Sequence, residues 1–398
     1  MLINTDIHKK YVDTITDMLF CMALVLYWSL SIVWSSTAMA LLTSRVYLLG
    51  MAIVIAVLML REAMRFVWMR RYNWRDFLGL AIVLLFGYIV DRNETATIAA
   101  GYLLIFASRD RDYKIIFRIV IVNTIVGIAV IYLASMRGYI PYATWTENDT
   151  LRHAFGFVYP LVIPAYLLNI GIMTFAVKEE KTEVWQMILL LFFTICTYRW
   201  CKAELSGGLT LAVLVAMAVT NSYPNILKSQ QVFWEWTDRL AVIIYPLVAF
   251  LSYLSAKFYD SSIAWMDRLN QMMGGRLSLA HAALQNYEIK LLGQEIWFVG
   301  FGLDNMGNPV NGTYNYVDNA YVNLLLRYGV VFCVVALVLI VLTMNYCRVR
   351  HMRVLLWMFS LMAIHGIFED KIQTLYFNSL LLMIGQAVQH YHASKKYT

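Results

Sequence analysis

The sequence predicts an all-α membrane protein, a polytopic bundle of about twelve transmembrane helices. Of its 398 residues, 61% are hydrophobic and only 14% are charged, and the mean hydropathy is +0.61. A soluble domain carries roughly a quarter charged residues, so a single soluble core of this length would leave too much apolar surface in water. The apolar runs carry no alternating polar residues, which favours helices over a β-barrel.

Twelve apolar stretches are candidate spans, and a full span needs about 20 residues. They lie near 17–36, 40–60, 76–91, 94–108, 114–135, 154–177, 184–199, 207–221, 239–256, 321–346, 353–368 and 374–391. Only Arg92 and Asn93 separate the third stretch from the fourth, so this pair is alternatively one re-entrant hairpin. The prediction is therefore ten to twelve spans. They form a bundle at 1–256 with spans 1–9, a large loop at 257–320, and spans 10–12 with a cytoplasmic tail at 321–398.

Lysines and arginines set the predicted orientation of the bundle. With the N-terminus inside, these residues are more frequent in the short inner connections than in the short outer ones, as the positive-inside rule requires. An even number of spans then places both termini in the cytoplasm and the 257–320 loop outside. Lys9, Lys10 and the first apolar run imitate a signal peptide, but the run is long enough to be an uncleaved span. The net charge of +7 fits the inner-face excess near anionic lipid, so no nucleic-acid partner is expected.

The 257–320 loop is the largest stretch outside the predicted spans, and long structured loops usually carry function. After the glycine pair 274–275, apolar residues recur at helical spacing at Leu277, Ala280, Leu284, Tyr287 and Leu291. This pattern predicts an amphipathic helix. The helix either rests on the bundle or the lipid interface, or covers a lipid-linked substrate, and the two interpretations are compatible.

Basic residues on the outer side are candidates for binding an anion. Arg152 and His153 precede the sixth span, Arg199 and Lys202 lie between the seventh and eighth spans, and Arg276 follows the glycine pair. Arginine offers a rigid fork of donors that fits phosphate oxygens two at a time. The alternative for Arg152 is snorkelling to the lipid headgroups. Two cations in a short outer loop run against the positive-inside trend, which makes Arg199 and Lys202 informative.

Acidic and polar residues at two span mouths complete the candidate site. Asp318, Asn319 and Tyr321 begin the tenth span, and Glu369 and Asp370 follow the eleventh. Asp318 or Asn319 either caps the helix or binds a sugar. Glu369 or Asp370 would act as a general base if burial raised its pKa, whereas the plainer interpretation is a solvated loop.

No metal or cofactor site is expected from the sequence. The five cysteines show no paired spacing and behave as small apolar residues: Cys21, Cys196, Cys201, Cys333 and Cys347. Asp110-Arg111-Asp112 imitates the DxD metal site of soluble sugar-nucleotide transferases. It lies in a cytoplasmic loop of mixed charge, which predicts a solvated run instead.

The hydropathy of the whole chain and four short motifs together resemble the bacterial Wzy-type polysaccharide polymerases, the wider group that includes O-antigen ligases. The motifs are 152–157 (RHAFGF), Ser206-Gly207, Gly275-Arg276 with Gly300-Phe301-Gly302, and 318–321 (DNAY) continuing to Gly329. The chain has Tyr159-Pro160 where the family often has His-Pro, and Ser206-Gly207 where it often has Ser-Arg. The arginine role would then pass to Arg199, Lys202 or Arg276.

The resemblance implies a GT-C-like membrane glycosyltransferase that polymerises repeat units on the outer face of the bacterial cytoplasmic membrane, without metal, nucleotide or other cofactor. The donor would be a glycan on undecaprenyl pyrophosphate and the acceptor another lipid-linked repeat unit, with a flippase and a chain-length regulator as further partners. The predicted catalytic residues are Arg152, Arg199, Arg276, Glu369 and Asp370. The predicted substrate-binding residues are His153, Lys202, Asp318, Asn319 and Tyr321.

Two other functions stay open at this point. A lipid-linked oligosaccharide flippase or other transporter needs a polar path through the bundle, whereas most charged candidates lie at outer mouths. A ligase differs from a polymerase only in its acceptor. The polymerase hypothesis predicts that Arg152, Arg199 and Arg276 converge on one outward-facing cavity.

Overall fold

Helices make up most of the computed structural model, which describes residues 2–68, 72–90, 96–147, 150–229, 231–300, 302–303 and 312–390. Its helices and strands are α1 Leu2–Trp34, α2 Ser44–Val67, α3 Trp74–Val90, α4 Ala96–Ala107, α5 Tyr113–Met136, β1 Thr144–Glu147, β2 Thr150–His153, α6 Val162–Lys178, α7 Val184–Cys201, α8 Glu204–Ser222, α9 Asn225–Lys228, α10 Val232–Val242, α11 Ile244–Lys257, α12 Ala264–Met272, α13 Arg276–Asn286, α14 Ala320–Val349, α15 Arg353–His365 and α16 Met383–His390. The chain is a helical membrane protein, as the composition predicts. The predicted tail beyond His390 and the junction at Arg92 lie outside the described residues.

Seven helices of the described chain are long and apolar enough to cross a membrane. They are α1, α2, α5, α6, α7, α8 and α14, and each coincides with a predicted stretch. The pair α10–α11, bent by 54°, would make an eighth span. The other predicted stretches form α3, the shorter helices α4 and α15, and an irregular segment that ends in α16.

The stretch 374–391 is not one helix, because buried side chains take the place of helical hydrogen bonds. The Asn378 side chain donates to the carbonyl of Ile372, and the Asn169 side chain bridges the carbonyl of Tyr376 and both the backbone N–H and the hydroxyl of Ser379. Asparagine and serine compete in this way with the backbone ladder. Irregular backbone at membrane depth is tolerated where protein groups satisfy it, as here.

A network of buried charges closes one end of the bundle. Arg109 pairs with Glu62 of α2 at 2.7 Å and with Asp76 of α3 at 2.7 Å, and Arg61 pairs with Asp110 at 2.6 Å. Four of these side chains are at most 4% exposed and that of Asp110 is 19% exposed. The interpretation of Asp110 as part of a solvated run is therefore wrong: its carboxylate joins α2 to the turn before α5.

The opposite end carries a short β-hairpin that the all-α prediction missed. Strands β1 and β2 pair antiparallel, with Trp145 opposite Arg152. The turn after β2 is held to the end of α1, because Thr37 N–H donates to Gly156 O at 2.9 Å and Val158 N–H donates to Ser35 O at 3.1 Å. Gly156 has φ +86, and a Cβ there would lie 2.7 Å from Ser135 Cβ. The helix α6 consequently begins at Val162, eight residues later than the predicted stretch.

The large loop lies against the bundle at the same end as the hairpin. Helix α13 begins at Arg276, directly after the glycine pair, and buries Leu277, Ala280 and Ala283. It ends at Asn286, so the predicted stripe is confirmed only over its first turns. The interpretation of this helix as resting on the bundle is confirmed for that buried face.

A segment of the large loop pairs with a break in α14. At Gly329 the backbone of α14 leaves helical geometry, with φ +81. Val330 N–H donates to Lys290 O at 3.2 Å, Val331 N–H to Leu291 O at 3.0 Å, and Gln294 N–H to Arg327 O at 3.0 Å. These bonds replace part of the interrupted helical ladder, so the loop segment and α14 form one hydrogen-bonded unit.

Candidate functional site

A cavity of about 1000 Å³ opens at the hairpin end of the bundle. Its walls come from the end of α1, strand β2 and the turn after it, the α7–α8 connection, the end of α12 with the start of α13, the segment before α14, and the turn after α15. Four basic and four acidic side chains line the described part of this cavity: Arg152, Lys202, Arg276 and Lys371, with Glu204, Asp318, Glu369 and Asp370.

Six of the ten predicted site residues line this one cavity. They are Arg152, Lys202, Arg276, Asp318, Glu369 and Asp370. They lie up to 218 positions apart in the chain, so only the tertiary fold brings them together. The expected convergence of Arg152 and Arg276 is present in the structure, but Arg199 is not among the lining residues.

Arg152 and Lys202 form one basic wall of the cavity. Arg152 Nε donates to the carbonyl of Cys201 at 3.0 Å, and its guanidinium lies 5.9 Å from the ring centre of Tyr159. Lys202, the next residue after Cys201, ends α7 in a left-handed conformation at φ 55 and ψ 45. A lysine rarely takes this conformation, and such backbone is common at functional sites. Among the described residues, Lys202 has no ion pair, so its ammonium faces the cavity without a carboxylate partner.

The first turn of α8 borders the same wall. Glu204 and Ser206 line the cavity, and no side chain in the described part of the chain caps the N-terminus of this helix. The unpaired N–H groups and the helix dipole there favour negative charge. The electrostatics of this wall therefore suit an anionic group.

The cavity lining also contains an arginine–aspartate pair. Arg276 Nε lies 3.5 Å from Asp318 Oδ2 and donates to the carbonyl of Phe368 at 3.0 Å. Tyr314 Oη donates to Asp318 Oδ2 at 3.2 Å. Burial raises the pKa of the Asp318 carboxyl to about 6, and the attraction of the Arg276 guanidinium only partly offsets this effect. A carboxylate with such a pKa is suited to accept a proton near neutral pH.

The two predicted acids after α15 already have partners. Glu369 pairs with Lys371 at 2.8 Å, and Tyr316 Oη donates to Asp370 Oδ2. Burial opposes the charged form of Glu369, but the Lys371 ammonium, His365 and Arg276 together outweigh this effect and lower the pKa of the carboxyl. The reciprocal attraction raises the pKa of the Lys371 ammonium despite its burial. A general base needs a raised pKa, so Glu369 fits that role less well than Asp318.

Four predicted residues lie outside the cavity lining. Asn319 is the N-cap of α14, and its side-chain oxygen accepts from Tyr321 N–H at 3.1 Å and from the next amide. Tyr321 is buried and donates to the carbonyl of Ala363 at 2.7 Å. His153 contacts the Tyr142 hydroxyl at 2.9 Å, and Arg199 is exposed in the last turn of α7. The capping interpretation is thus confirmed for Asn319, and we place none of the four in the site.

Two tyrosines of the site were not predicted. Tyr314 and Tyr316 line the cavity together with Asp318. The segment has no regular secondary structure, and its alternate residues Tyr314, Tyr316 and Asp318 all line the cavity. The spacing Tyr-x-Tyr-x-Asp before a span is the sequence signal that would have found them.

Among the described residues, no group of three or more His, Cys, Asp or Glu side chains is arranged to hold a metal ion. No model of a known protein family, no curated protein and no solved structure matches the chain. The cavity offers the basic side chains of Arg152 and Lys202 to an anion, and it also holds the Asp318 carboxylate, which is suited to accept a proton.

Proposed function

We propose that the protein is a membrane glycosyltransferase that polymerises undecaprenyl-pyrophosphate-linked repeat units in the manner of Wzy-type polymerases. The single observation that carries the proposal is the cavity, which brings Arg152 and Lys202 to one wall and the Arg276–Asp318 pair to the other. Such a reaction needs a holder for a diphosphate leaving group and a place for the acceptor hydroxyl. The two walls meet these needs.

The diphosphate of the donor binds at the basic wall in this proposal. As the bond from the anomeric carbon to phosphate oxygen breaks, the electron pair leaves with the lipid diphosphate and its negative charge grows. Fixed cations at Arg152 and Lys202 stabilise that charge more than they stabilise the ground state. Removal of one such contact raises the barrier by about 2–4 kcal/mol, with oxyanion-hole variants as the guide.

The acceptor hydroxyl approaches from the Asp318 side. Its oxygen forms the new bond to the anomeric carbon, and its proton passes to the Asp318 carboxylate. Arg276 orients that carboxylate at 3.5 Å, and Tyr314 donates to the same oxygen. Asp318, which the sequence suggested only as a sugar-binding residue or a cap, is the proposed general base.

We further propose a twelve-span, GT-C-like arrangement in the bacterial cytoplasmic membrane, with the cavity on the outer face and both termini inside. Contacts at the two ends support it. Ser108 beside α4 donates to Leu382 O, next to α16, at the end closed by the Arg109 network. The last residue of α1, Trp34, lines the cavity at the other end. In this proposal successive segments run between these two ends in alternation.

Two alternative functions, a flippase and a ligase, need to be distinguished from the polymerase by experiment. A flippase needs polar groups through the bundle, but the charged network at the closed end is paired internally. A ligase would use the same donor chemistry with a different acceptor. The proposal includes a flippase and a chain-length regulator as partners, since the substrate must reach the outer leaflet and the product length must be limited.

The deciding experiment incubates the purified protein in nanodiscs with a defined lipid-linked repeat unit and measures products by mass spectrometry. We expect dimers and longer chains together with free lipid diphosphate. A parallel assay in proteoliposomes measures movement of the same lipid between leaflets. Movement without any new glycosidic bond would refute the polymerase and support the transporter.

A further inference from the structure

A second concave surface, an apolar groove of about 390 Å³, runs along α14 between α3, α4 and α16. Its lining extends on α14 from Leu324 to Leu342. At a rise of 1.5 Å per residue this stretch is about 27 Å long, close to the roughly 30 Å thickness of the bilayer hydrocarbon core. The groove is thus as long as one membrane crossing.

Charge is confined to one end of the groove. Arg75, Asp76 and Arg109 are its charged lining residues in the described chain, and all three lie at the closed end of the bundle. Elsewhere the described lining is aliphatic and aromatic apart from Gln373 and Gln389. The groove also opens sideways, since Val334 and Val338 are 53% and 51% exposed. A surface of this kind suits a hydrocarbon chain along most of its length.

The groove begins where the cavity ends. In the turn after α15, Asp370 and Lys371 line the cavity, whereas the next two residues, Ile372 and Gln373, line the groove. The lining passes from cavity to groove over a similarly short distance at the start of α14. Asp318, just before the helix, lines the cavity, and Leu324, six positions later, lines the groove. A lipid with its headgroup in the cavity would therefore direct its chain along the groove.

We propose that this groove binds the hydrocarbon chain of the lipid carrier whose diphosphate occupies the cavity. The inference rests on the proposed function, because it takes the occupant of the cavity to be a lipid diphosphate. Binding along α14 would fix the position of the diphosphate relative to Asp318. It would also give the protein a preference for long carriers over short ones.

The test uses undecaprenyl diphosphate with a diazirine in the half of its chain nearer the diphosphate, bound to the full-length protein in nanodiscs and photolysed. Peptide mapping by mass spectrometry should place the cross-links on α3, α14 and α16. Val338→Trp places an indole ring in the groove from its open side. It should reduce those cross-links to the level found on the other lipid-facing helices, because the ring occupies the space of the chain. Val130→Trp, on the exposed face of α5 away from the groove, is the matched control and should leave them unchanged.

Cross-links spread evenly over all lipid-facing helices would overturn the proposal, as would their displacement by excess phosphatidylglycerol. The map of the unmodified protein decides the matter even if Val338→Trp does not fold. The readout needs no turnover. Cross-links in the groove without any new glycosidic bond would support the lipid-binding groove and refute the polymerase. Elongation without cross-links in the groove would support the polymerase and refute the groove.

Discussion

At the scale of single residues, the basic side chains of the cavity differ in whether a carboxylate lies beside them. Arg276 and Lys371 face carboxylates at 3.5 and 2.8 Å, so part of their charge is already neutralised. Lys202 has no ion pair among the described residues, and its left-handed backbone places it beside the Cys201 carbonyl that binds Arg152. In the proposed reaction, Lys202 is therefore the cation best placed to hold the diphosphate, with Arg152 beside it.

Asp318 gives the site a pH dependence. A general base must be ionised, and burial raises the pKa of this carboxyl to about 6. Elongation should therefore fall to half its maximum near pH 6 and decline further below it. Asp318→Asn should reduce kcat by about 10²–10⁴ and remove this acid limb.

A pH–rate profile of purified variants measures both effects. Asp260→Asn, an exposed residue of the same loop, is the control and should keep the original profile. An unchanged acid limb in Asp318→Asn would contradict the assignment of the base.

Some of these residues could be predicted and others could not. The outer-loop cations stand out in the sequence because they oppose the positive-inside trend. The sequence leaves the role of Asn319 open, because asparagine suits both an N-cap and a sugar-binding site. Only the hydrogen bonds that its side chain accepts from the Tyr321 and Val322 amides show that it caps α14. The choice of Asp318 over Glu369 depends on which acid lies beside Lys371, and this information comes only from the fold.

At the scale of elements, the break in α14 joins the large loop to the membrane bundle. Gly329 and Gly293 approach so closely that a Cβ on Gly329 would lie 2.2 Å from Gly293 N. Both residues have positive φ. Asp318 lies two positions before the start of α14 and lines the cavity, so the paired loop segment supports the helix that begins beside the proposed base.

Gly329→Ala should therefore destabilise the protein by about 2–4 kcal/mol, from left-handed strain and overpacking together. Thermal unfolding in detergent should show a clearly lower Tm. Gly208→Ala in α8 is the matched control, because no atom lies within 4 Å of its added Cβ. It should leave the Tm unchanged or slightly higher, since alanine favours helix. Equal Tm values for the two variants would disprove the packing argument.

The elements that hydropathy predicts well are those with continuous apolar runs. The stretch 374–391 also has such a run, but its Asn378 and Ser379 bond to buried partners and turn the chain out of helical geometry. The hairpin 144–153 was missed for a related reason. It is short, and its place is fixed by contacts with the distant end of α1 through Gly156.

At the scale of the whole molecule, the two ends of the bundle differ in kind. One end is closed by charges that pair with each other, and the other holds an open cavity with charges of both signs. This asymmetry suits a reaction on one face of the membrane better than passage through it. The predicted orientation places the cavity outside.

Cysteine labelling tests that orientation in intact cells, starting from a variant without the five native cysteines. Ser262→Cys, in the large loop, should react with an impermeant maleimide added outside. Lys181, between α6 and α7, is exposed like Ser262, and Lys181→Cys should react only after permeabilisation. The reversed pattern would place the cavity in the cytoplasm and rule out the proposed substrate.

The central claim is that Arg152 and Lys202 hold the leaving diphosphate, and the release of lipid diphosphate from a defined repeat unit measures it most directly. The rate should fall about 10²–10³-fold in Arg152→Ala and in Lys202→Ala. Arg199→Ala, a nearby exposed cation outside the cavity lining, should keep nearly the original rate. Normal rates and chain lengths in the first two variants, or an equal loss in all three, would contradict the account.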